Sequence, residues 1–204
     1  MIALLDYGSG NLRSAQRAFE RSGHDVLLTH DRDVALNADG LVVPGVGAFA
    51  ACMRGLRGVA GDEIVRERIA HERPVLGICV GMQILFEHGD EYATDGLHDG
   101  VGALPGTVTK LDAPILPHMG WNTVDAGRGS TLFRGVEGES FYFVHSYAVT
   151  QSSNMSAEAI ATWTTYGQPF LSVIEVGYIS ATQFHPEKSG AAGLALIKNW
   201  VSTL

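Results

Sequence analysis

The sequence has few cysteines, few charged residues and no long apolar run, and each shortage excludes a class of protein. Only 2 of its 204 residues are cysteines, too few for the disulfide framework of a small secreted domain. No stretch approaches the roughly eighteen apolar residues of a membrane-spanning helix. The N-terminal segment also lacks the basic region and long apolar run of a secretory signal. We therefore expect a cytoplasmic protein with reduced thiols and no membrane partner.

Positive charge is also scarce. The net charge is −8, charged residues make up 18% of the chain, and Lys and Arg never form a run of three. Such a surface is a poor match for nucleic acid or an anionic membrane. Hydrophobic residues reach 46%, enough for a large buried core. The length suits one α/β domain, so residues 1–204 are expected to form a single domain.

Strand-like apolar segments alternate with helical patterns through the first half of the chain. This alternation predicts an α/β fold with a mostly parallel central sheet and helices on both faces. After about residue 100 the strand patterns follow one another closely, which indicates an antiparallel section. The predicted strands are "MIALLD", "DVLLTH", "GLVVPG", "PVLGI", "GTVTKL", "FYFVHSYAV", "EAIATW", "FLSVIEV" and "YISATQF". The predicted helices are "GNLRSAQRAFERSG", "MRGLRGVAGDEIVRERIAHER", "GMQILFEHG" and "SGAAGLALIKNWVSTL".

One of the two cysteines lies on a predicted tight bend. Cys79 follows a strand pattern, precedes a helical one, and is flanked by Gly77 and Gly81. This is the G-x-S-x-G nucleophile elbow with sulfur in place of oxygen. The helix N-terminus of such a bend favours a thiolate and offers amides, first that of Val80, to an oxyanion. The pattern alone fits a small buried cysteine equally well, and that is the role expected of Cys52, which lies in a helical stretch.

A nucleophilic cysteine needs a base, and "TQFHPEKSG" supplies the best candidate. His185 follows an apolar strand pattern, and Glu187 lies two residues further on. Pro186 biases His185 toward extended backbone, in which side chains two apart point to the same side. The carboxylate can then fix the imidazole tautomer and stabilise its charged form. Alone, this triplet also fits an ordinary turn after a strand.

The two motifs together, "GICVGMQ" and "QFHPE", resemble the signatures of class I glutamine amidotransferases. The resemblance implies a flavodoxin-like three-layer fold and hydrolysis of L-glutamine to glutamate and ammonia. It also implies the roles of three residues. Cys79 would form a glutamyl thioester, His185 would act as general base and acid, and Glu187 would orient the imidazole.

A second glycine-rich bend, residues 42–49, follows another buried strand pattern. An elbow nucleophile needs a second N–H donor from a neighbouring loop, and Gly45–Gly47 is flexible enough to present one. An ordinary strand-to-helix turn is the alternative. The resemblance implies that the Val46 amide, together with that of Val80, binds the oxyanion, and that a peptide flip there switches activity. It further implies substrate contacts from Gly47, Gln83, His145, Ser146 and Tyr147.

Three further stretches, "DYGSGNLRS", "PHMGWN" and "KSG", resemble one branch of the family, the glutaminase subunits of imidazole glycerol phosphate synthases. That resemblance implies a heterodimer with a (β/α)8-barrel cyclase, with Asn11 and Lys188 as interface candidates. Gly8 and Gly10 also suggest a dinucleotide fingerprint, but the third glycine would fall at Arg13, so we reject that interpretation.

Other functions stay open at this point. Another class I amidotransferase subunit, or a stand-alone cysteine hydrolase on the same fold, would need the same elbow. A non-catalytic module would not need the three intact residues. No clustered Cys/His spacing supports a metal site, and no cofactor is expected.

Overall fold

The computed structural model describes residues 1–151 and 155–204. Its strands, in chain order, are β1 (Ile2–Leu5), β2 (Val26–Thr29), β3 (Gly40–Gly45), β4 (Val75–Cys79), β5 (Phe86–Gly89), β6 (His98–Asp99), β7 (Leu104–Lys110), β8 (His118–Thr123), β9 (Ser140–His145), β10 (Tyr147–Ala148), β11 (Ile160–Tyr166), β12 (Gln168–Val176) and β13 (Ile179–Thr182). Its helices are α1 (Leu12–Glu20), α2 (Arg32–Asn37), α3 (Phe49–Gly58), α4 (Gly61–Ala70), α5 (Val80–Gln83) and α6 (Gly190–Val201), and Pro186–Lys188 forms a 3-10 turn. Within these residues, no helix combines the length and apolarity needed to cross a lipid bilayer.

The central sheet has the strand order β11-β12-β13-β4-β3-β1-β2. The five strands from β13 to β2 are parallel, and β12 and β11 are added antiparallel at one edge. Strands β1, β3 and β4 are buried along their whole length, which explains their unbroken apolar sequences. The predicted parallel sheet with an antiparallel section is therefore confirmed.

Helices cover the two faces of this sheet. The crossover from β1 to β2 runs along the sheet in the opposite direction to that from β3 to β4. Because such crossovers are right-handed, α1 lies on one face and α3 and α4 lie on the other. Accordingly α1 packs against α6, with Phe19 edge-on to Trp200, whereas α3 packs against α4.

Two predicted helices differ from the structure. The helix expected from Gly81 to Gly89 ends at Gln83, and β5 follows it. The apolar run that begins at Ile84 has no periodicity that separates a strand from a buried helix. The long helix expected after Cys52 breaks between Gly58 and Gly61 into α3 and α4.

Two smaller sheets lie beside the central one in the described part of the chain. One has the order β10-β7-β5-β6, and the other is the antiparallel hairpin of β8 and β9. Strand β8, in the "PHMGWN" stretch, was not predicted, although burial does alternate along it.

Strand β3 and helix α5 approach so closely that only glycine fits between them. A Cβ on Gly81 would lie 1.9 Å from the carbonyl oxygen of Val43, and one on Gly45 would lie 2.3 Å from the Gly81 nitrogen. Both distances are far below any real carbon contact. The missing side chains therefore bring the loop after β3 directly against the bend after β4.

The substitution Gly81→Ala should lower the free energy of unfolding by about 3 kcal/mol, because backbone must move to admit the methyl group. Urea denaturation measures this loss. Gly58→Ala is the matched control, since a Cβ on Gly58 would meet no neighbouring atom of the described residues within 4 Å, and alanine favours a helix over glycine by up to about 1 kcal/mol. Equal stability of the Gly81 variant and the wild type would contradict the close-packing argument.

Candidate active site

Cys79 lies at the carboxyl end of the central strand β4. Its backbone has φ 57° and ψ −115°, a conformation that non-glycine residues rarely adopt and that costs about 1–3 kcal/mol. The next residue, Val80, begins α5, whose first amides have no acceptor within the helix. The side chain is only 3% exposed. The elbow geometry predicted from the two glycines is therefore present.

Sheet register brings the other predicted residues to the same place. Gly45 at the end of β3 is paired with Cys79, and on the other side Thr182 at the end of β13 is paired with Ile78. The chain continues three residues past β13 to His185. Carboxyl ends of parallel strands meet at one edge, where open α/β sheets place their sites.

His185 and Glu187 are in contact. Nδ1 of the imidazole lies 2.8 Å from Oε1 of the carboxylate, and both side chains are almost fully buried. His185 has extended backbone, as expected before Pro186, but Glu187 lies in the 3-10 turn and not in a continued strand. The contact is thus made across a turn.

Burial alone would lower the pKa of His185, but interactions with Cys79 and Glu187 outweigh it and raise the pKa to about 9. The ring is therefore a cation at neutral pH. Its Nε2 is buried and has no hydrogen-bond partner among the described residues. A donor is left available beside the sulfur.

Cys79 and His185 share a cavity of about 570 Å3. Most of the predicted site residues lie in its wall, which also includes five residues that we did not predict to be there: Ala48, Glu91, Tyr92, Pro117 and Val144. The full lining is Val46, Gly47, Ala48, Cys79, Val80, Gln83, Glu91, Tyr92, Pro117, Val144, His145, Ser146, Tyr147, His185 and Lys188. Three predicted residues, Asn11, Gly45 and Glu187, instead line a narrow pocket behind Val46 and His185.

In the loop after β3, the amide of Val46 has a partner outside the cavity. Gly47 has φ 90°, which glycine tolerates. The Val46 amide, implied as an oxyanion donor, lies 3.2 Å from the hydroxyl of Ser9 and donates to it. Its single proton is therefore engaged outside the cavity.

Gln83 is held by two acceptors. Its Nε2 donates to the carbonyl of Tyr147 at 2.8 Å and to Oε1 of Gln183 at 3.0 Å. Because both amide protons are used, Oε1 of Gln83 is the atom left to accept. Nε2 of Gln183 in turn lies 3.9 Å from the Cys79 sulfur. We did not predict Gln183, although it belongs to the "QFHPE" motif.

His145 has the opposite electrostatic character to His185. Burial is the main cause that lowers its pKa, to about 3, and the neighbouring His118 adds to this effect. Nδ1 of His145 donates to the Tyr147 carbonyl at 3.0 Å, so its Nε2 accepts from Nδ1 of His118 at 3.1 Å. His118, stacked between Phe143 and Tyr166, also has its pKa lowered by burial, to about 4. The pair is neutral at physiological pH.

Glu91 places a carboxylate in the wall of the cavity. Its Oε2 accepts a hydrogen bond from the backbone N–H of Phe49 at 2.8 Å, which fixes the side chain at the start of α3. Sequence reasoning missed this residue because it lies in the acidic segment "HGDEYATDGLHDG". One carboxylate there has no pattern that separates it from a solvated surface residue.

Comparison with known proteins agrees with this geometry. Residues 3–203 match the family "Glutamine amidotransferase class-I". A protein of Mycolicibacterium paratuberculosis named "Imidazole glycerol phosphate synthase subunit HisH" is 58% identical over 204 residues, which cover 100% of this chain and 98% of that protein. A protein of Thermobifida fusca with the same name is 57% identical over 210 residues, with the same coverage.

Solved structures share the fold at low sequence identity. A crystal structure of a glutamine amidotransferase has a TM-score of 0.76 at 16% identity, with 98% of this chain and 97% of that chain covered. The glutaminase domain of Trypanosoma brucei CTPS with bound acivicin has a TM-score of 0.64 at 16% identity, with 98% and 93% covered. The match to the family over nearly the whole chain, together with the full-length similarity to its relatives, shows that this chain belongs to the class-I glutamine amidotransferase family.

Proposed function

We propose that this chain is the glutaminase subunit of an imidazole glycerol phosphate synthase. It hydrolyses glutamine and passes the ammonia to a cyclase subunit, which makes imidazole glycerol phosphate and aminoimidazole carboxamide ribotide in histidine biosynthesis. The observation that carries the chemistry is the strained, buried Cys79, which shares one cavity with the His185–Glu187 pair. The full-length similarity to proteins named as subunits of that synthase selects it among amidotransferases.

In the first half of the reaction, the Cys79 thiolate attacks the side-chain amide carbon of glutamine. The resulting tetrahedral intermediate carries a negative oxygen. The His185 imidazolium gives its Nε2 proton to the departing nitrogen, so ammonia leaves and a glutamyl thioester remains. The raised pKa of His185 supports this role, because the proton is already in place at neutral pH.

In the second half, neutral His185 takes a proton from water, whose oxygen attacks the thioester. Glutamate leaves, and Cys79 and His185 return to the thiolate and the imidazolium. Glu187 stabilises the cation in both halves and keeps Nδ1 protonated. The 2.8 Å contact between the two buried groups supports this assignment.

The negative oxygen requires two preorganised N–H donors. The N–H of Val80 is one donor, because Val80 is the first residue of α5 and directly follows Cys79. Val46 supplies the other once its amide leaves Ser9. That amide belongs to the Gly45–Val46 peptide, so its rotation changes the ψ angle of Gly45, which has the freedom of a residue without a Cβ.

The cavity wall offers a partner for the α-ammonium group of free glutamine. The Glu91 carboxylate is suited to that cation, and Gln83 lies in the same wall. The neutral His145 orders the Tyr147 carbonyl without adding a competing charge. The proposed substrate contacts are Gly47, Gln83, Glu91, His145, Ser146 and Tyr147.

A barrel-shaped cyclase is the proposed partner. Asn11 and Lys188 are exposed, and Lys188 lies at the cavity wall. Met119 and Trp121 on β8 are about 60% exposed, at 62% and 58%, and Trp121 lies beside Gly190, two residues from Lys188. Large apolar side chains so exposed favour a protein contact. Ammonia released into water would become ammonium, which is not a nucleophile. Direct transfer to the cyclase avoids this loss.

Cys79→Ser should lower glutamine hydrolysis by at least about a thousand-fold, because the nucleophile is lost. Binding to the cyclase and synthesis from added ammonia should persist. Covalent labelling by a glutamine-like electrophile, followed by mass spectrometry, should modify Cys79 and not Cys52. The Cys52→Ala variant is the control and should still take up one equivalent. Loss of ammonia-dependent synthesis in the Cys79 variant would contradict the division of labour.

The glutaminase kcat/KM of the complex should fall as the pH rises through about 9, because His185 then loses the proton that it gives to the departing nitrogen. Glu187→Gln removes one of the interactions that raise this pKa, so the alkaline limb should move to lower pH. Exposed Glu139→Gln is the matched control. A limb that stays in place when Glu187 is replaced would show that another group titrates.

The isolated chain should be a poor glutaminase, and addition of the cyclase with its nucleotide should raise turnover by about two orders of magnitude or more. Lys188→Ala should weaken the complex in size-exclusion or calorimetric titration, whereas exposed Lys198→Ala should not. A turnover that is the same with and without the partner would favour a stand-alone cysteine hydrolase.

A further inference from the structure

Gln183 contacts the nucleophile but has no part in the reaction described above. Its position follows from the sheet register, because Thr182 at the end of β13 is paired with Ile78, and the next residues of the two strands are Gln183 and Cys79. The backbone N–H of Gln183 donates to the carbonyl of Ser172 at 2.8 Å, which continues the pairing with β12 by one residue. The side chain is 1% exposed. The sheet itself therefore fixes a buried amide beside the sulfur.

Side chains alternate along this extended segment. Phe184 stacks on Phe141, with ring centres 4.4 Å apart. The residues on either side of it, Gln183 and His185, both interact with Cys79. The "QFHPE" motif thus brings an amide and an imidazole to the same sulfur.

A backbone carbonyl determines which way the Gln183 amide points. Nε2 of Gln83 donates to the carbonyl of Tyr147 at 2.8 Å, and a carbonyl can only accept. The same Nε2 lies 3.0 Å from the Gln183 amide, which must therefore present its Oε1 to it. Nε2 of Gln183 is then directed at the Cys79 sulfur at 3.9 Å, its only acceptor among the described residues.

The Tyr147 carbonyl is itself held by a directed series of hydrogen bonds. It also accepts from Nδ1 of His145 at 3.0 Å, and Nε2 of His145 accepts from Nδ1 of His118 at 3.1 Å. Nε2 of His118 in turn accepts from Nδ2 of Asn122 at 3.3 Å. Each ring accepts at one nitrogen, so both are neutral, and one consistent set of tautomers extends from β8 to the group that orients Gln83.

An amide N–H beside a cysteine favours the thiolate, because a hydrogen bond to a charged acceptor is stronger than one to its neutral form. The amide does not titrate, so this donor is present at every pH and at every stage of the reaction. The amide oxygen has a different task, since it occupies one proton of Gln83 and keeps that side chain oriented in the cavity wall.

We propose that Gln183 serves the glutaminase reaction in two ways: its Nε2 stabilises the Cys79 thiolate, and its Oε1 positions Gln83 for the substrate. This inference rests on the proposed function, because that function makes Cys79 the nucleophile and Gln83 a substrate contact.

The test uses the full chain in complex with the cyclase and its nucleotide. Gln183→Met has nearly the same length and lacks the amide. Alkylation of Cys79 by iodoacetamide, a small reagent without the amino-acid part of glutamine, should slow about ten-fold at neutral pH because the thiolate loses a donor. For glutamine, kcat should fall by a similar factor, and KM should rise about three-fold because Gln83 is no longer held. Synthesis from added ammonia should persist. Gln151→Met, at an exposed position, is the control and should change none of these values.

Gln83→Met separates the two tasks. It should raise KM for glutamine but slow alkylation by iodoacetamide far less than Gln183→Met does. Because Gln183 affects KM through Gln83, the double variant should have a KM close to that of Gln83→Met, whereas its alkylation should be as slow as in Gln183→Met.

Gln183→Leu also removes the amide but has a different shape, so an effect shared with Gln183→Met belongs to the hydrogen bonds and not to packing. A wild-type rate of Cys79 alkylation in both folded variants would overturn the proposal. So would a loss of activity that follows only a lower melting temperature, since that result would indicate a merely structural role. A wild-type complex that is alkylated at Cys79 but does not hydrolyse glutamine would instead count against the proposed function.

Discussion

The strained backbone of Cys79 is the constraint on which the rest of the site depends. The bend at Cys79, with φ 57° at the end of β4, leaves no room for side chains at Gly77 and Gly81. At Gly77 an added Cβ would lie 2.8 Å from the carbonyl oxygen of Gly81, and at Gly81 the clash with Val43 would be worse. Tight packing of β3, β4 and α5 thus fixes the sulfur, the first helical amide and the end of β3 relative to one another. Precise placement of this kind is what nucleophilic catalysis requires.

The two histidines of the cavity show how environment divides one residue type between two roles. His185 contacts a buried carboxylate and has its pKa raised to about 9, whereas His145 contacts a second imidazole and has its pKa lowered to about 3. One ring is protonated at neutral pH, and the other stays neutral and directs hydrogen bonds. The cavity therefore contains one protonated imidazole, placed beside the nucleophile.

The sequence predicted those parts of the molecule in which the backbone geometry requires particular residue types close together in the chain. Glycines around Cys79 predict the elbow because no other residue fits there, and His185 before Pro186 predicts extended backbone. The encounter of these two segments could not be derived from spacing, since it depends on β13 returning beside β4 after some hundred residues. Glu91 and Gln183 escaped for a different reason. Their contacts are with residues distant in the chain, and nothing in their own sequence neighbourhoods marks them. The helix expected through Gly89 failed because a continuous apolar run fits a strand and a buried helix equally well.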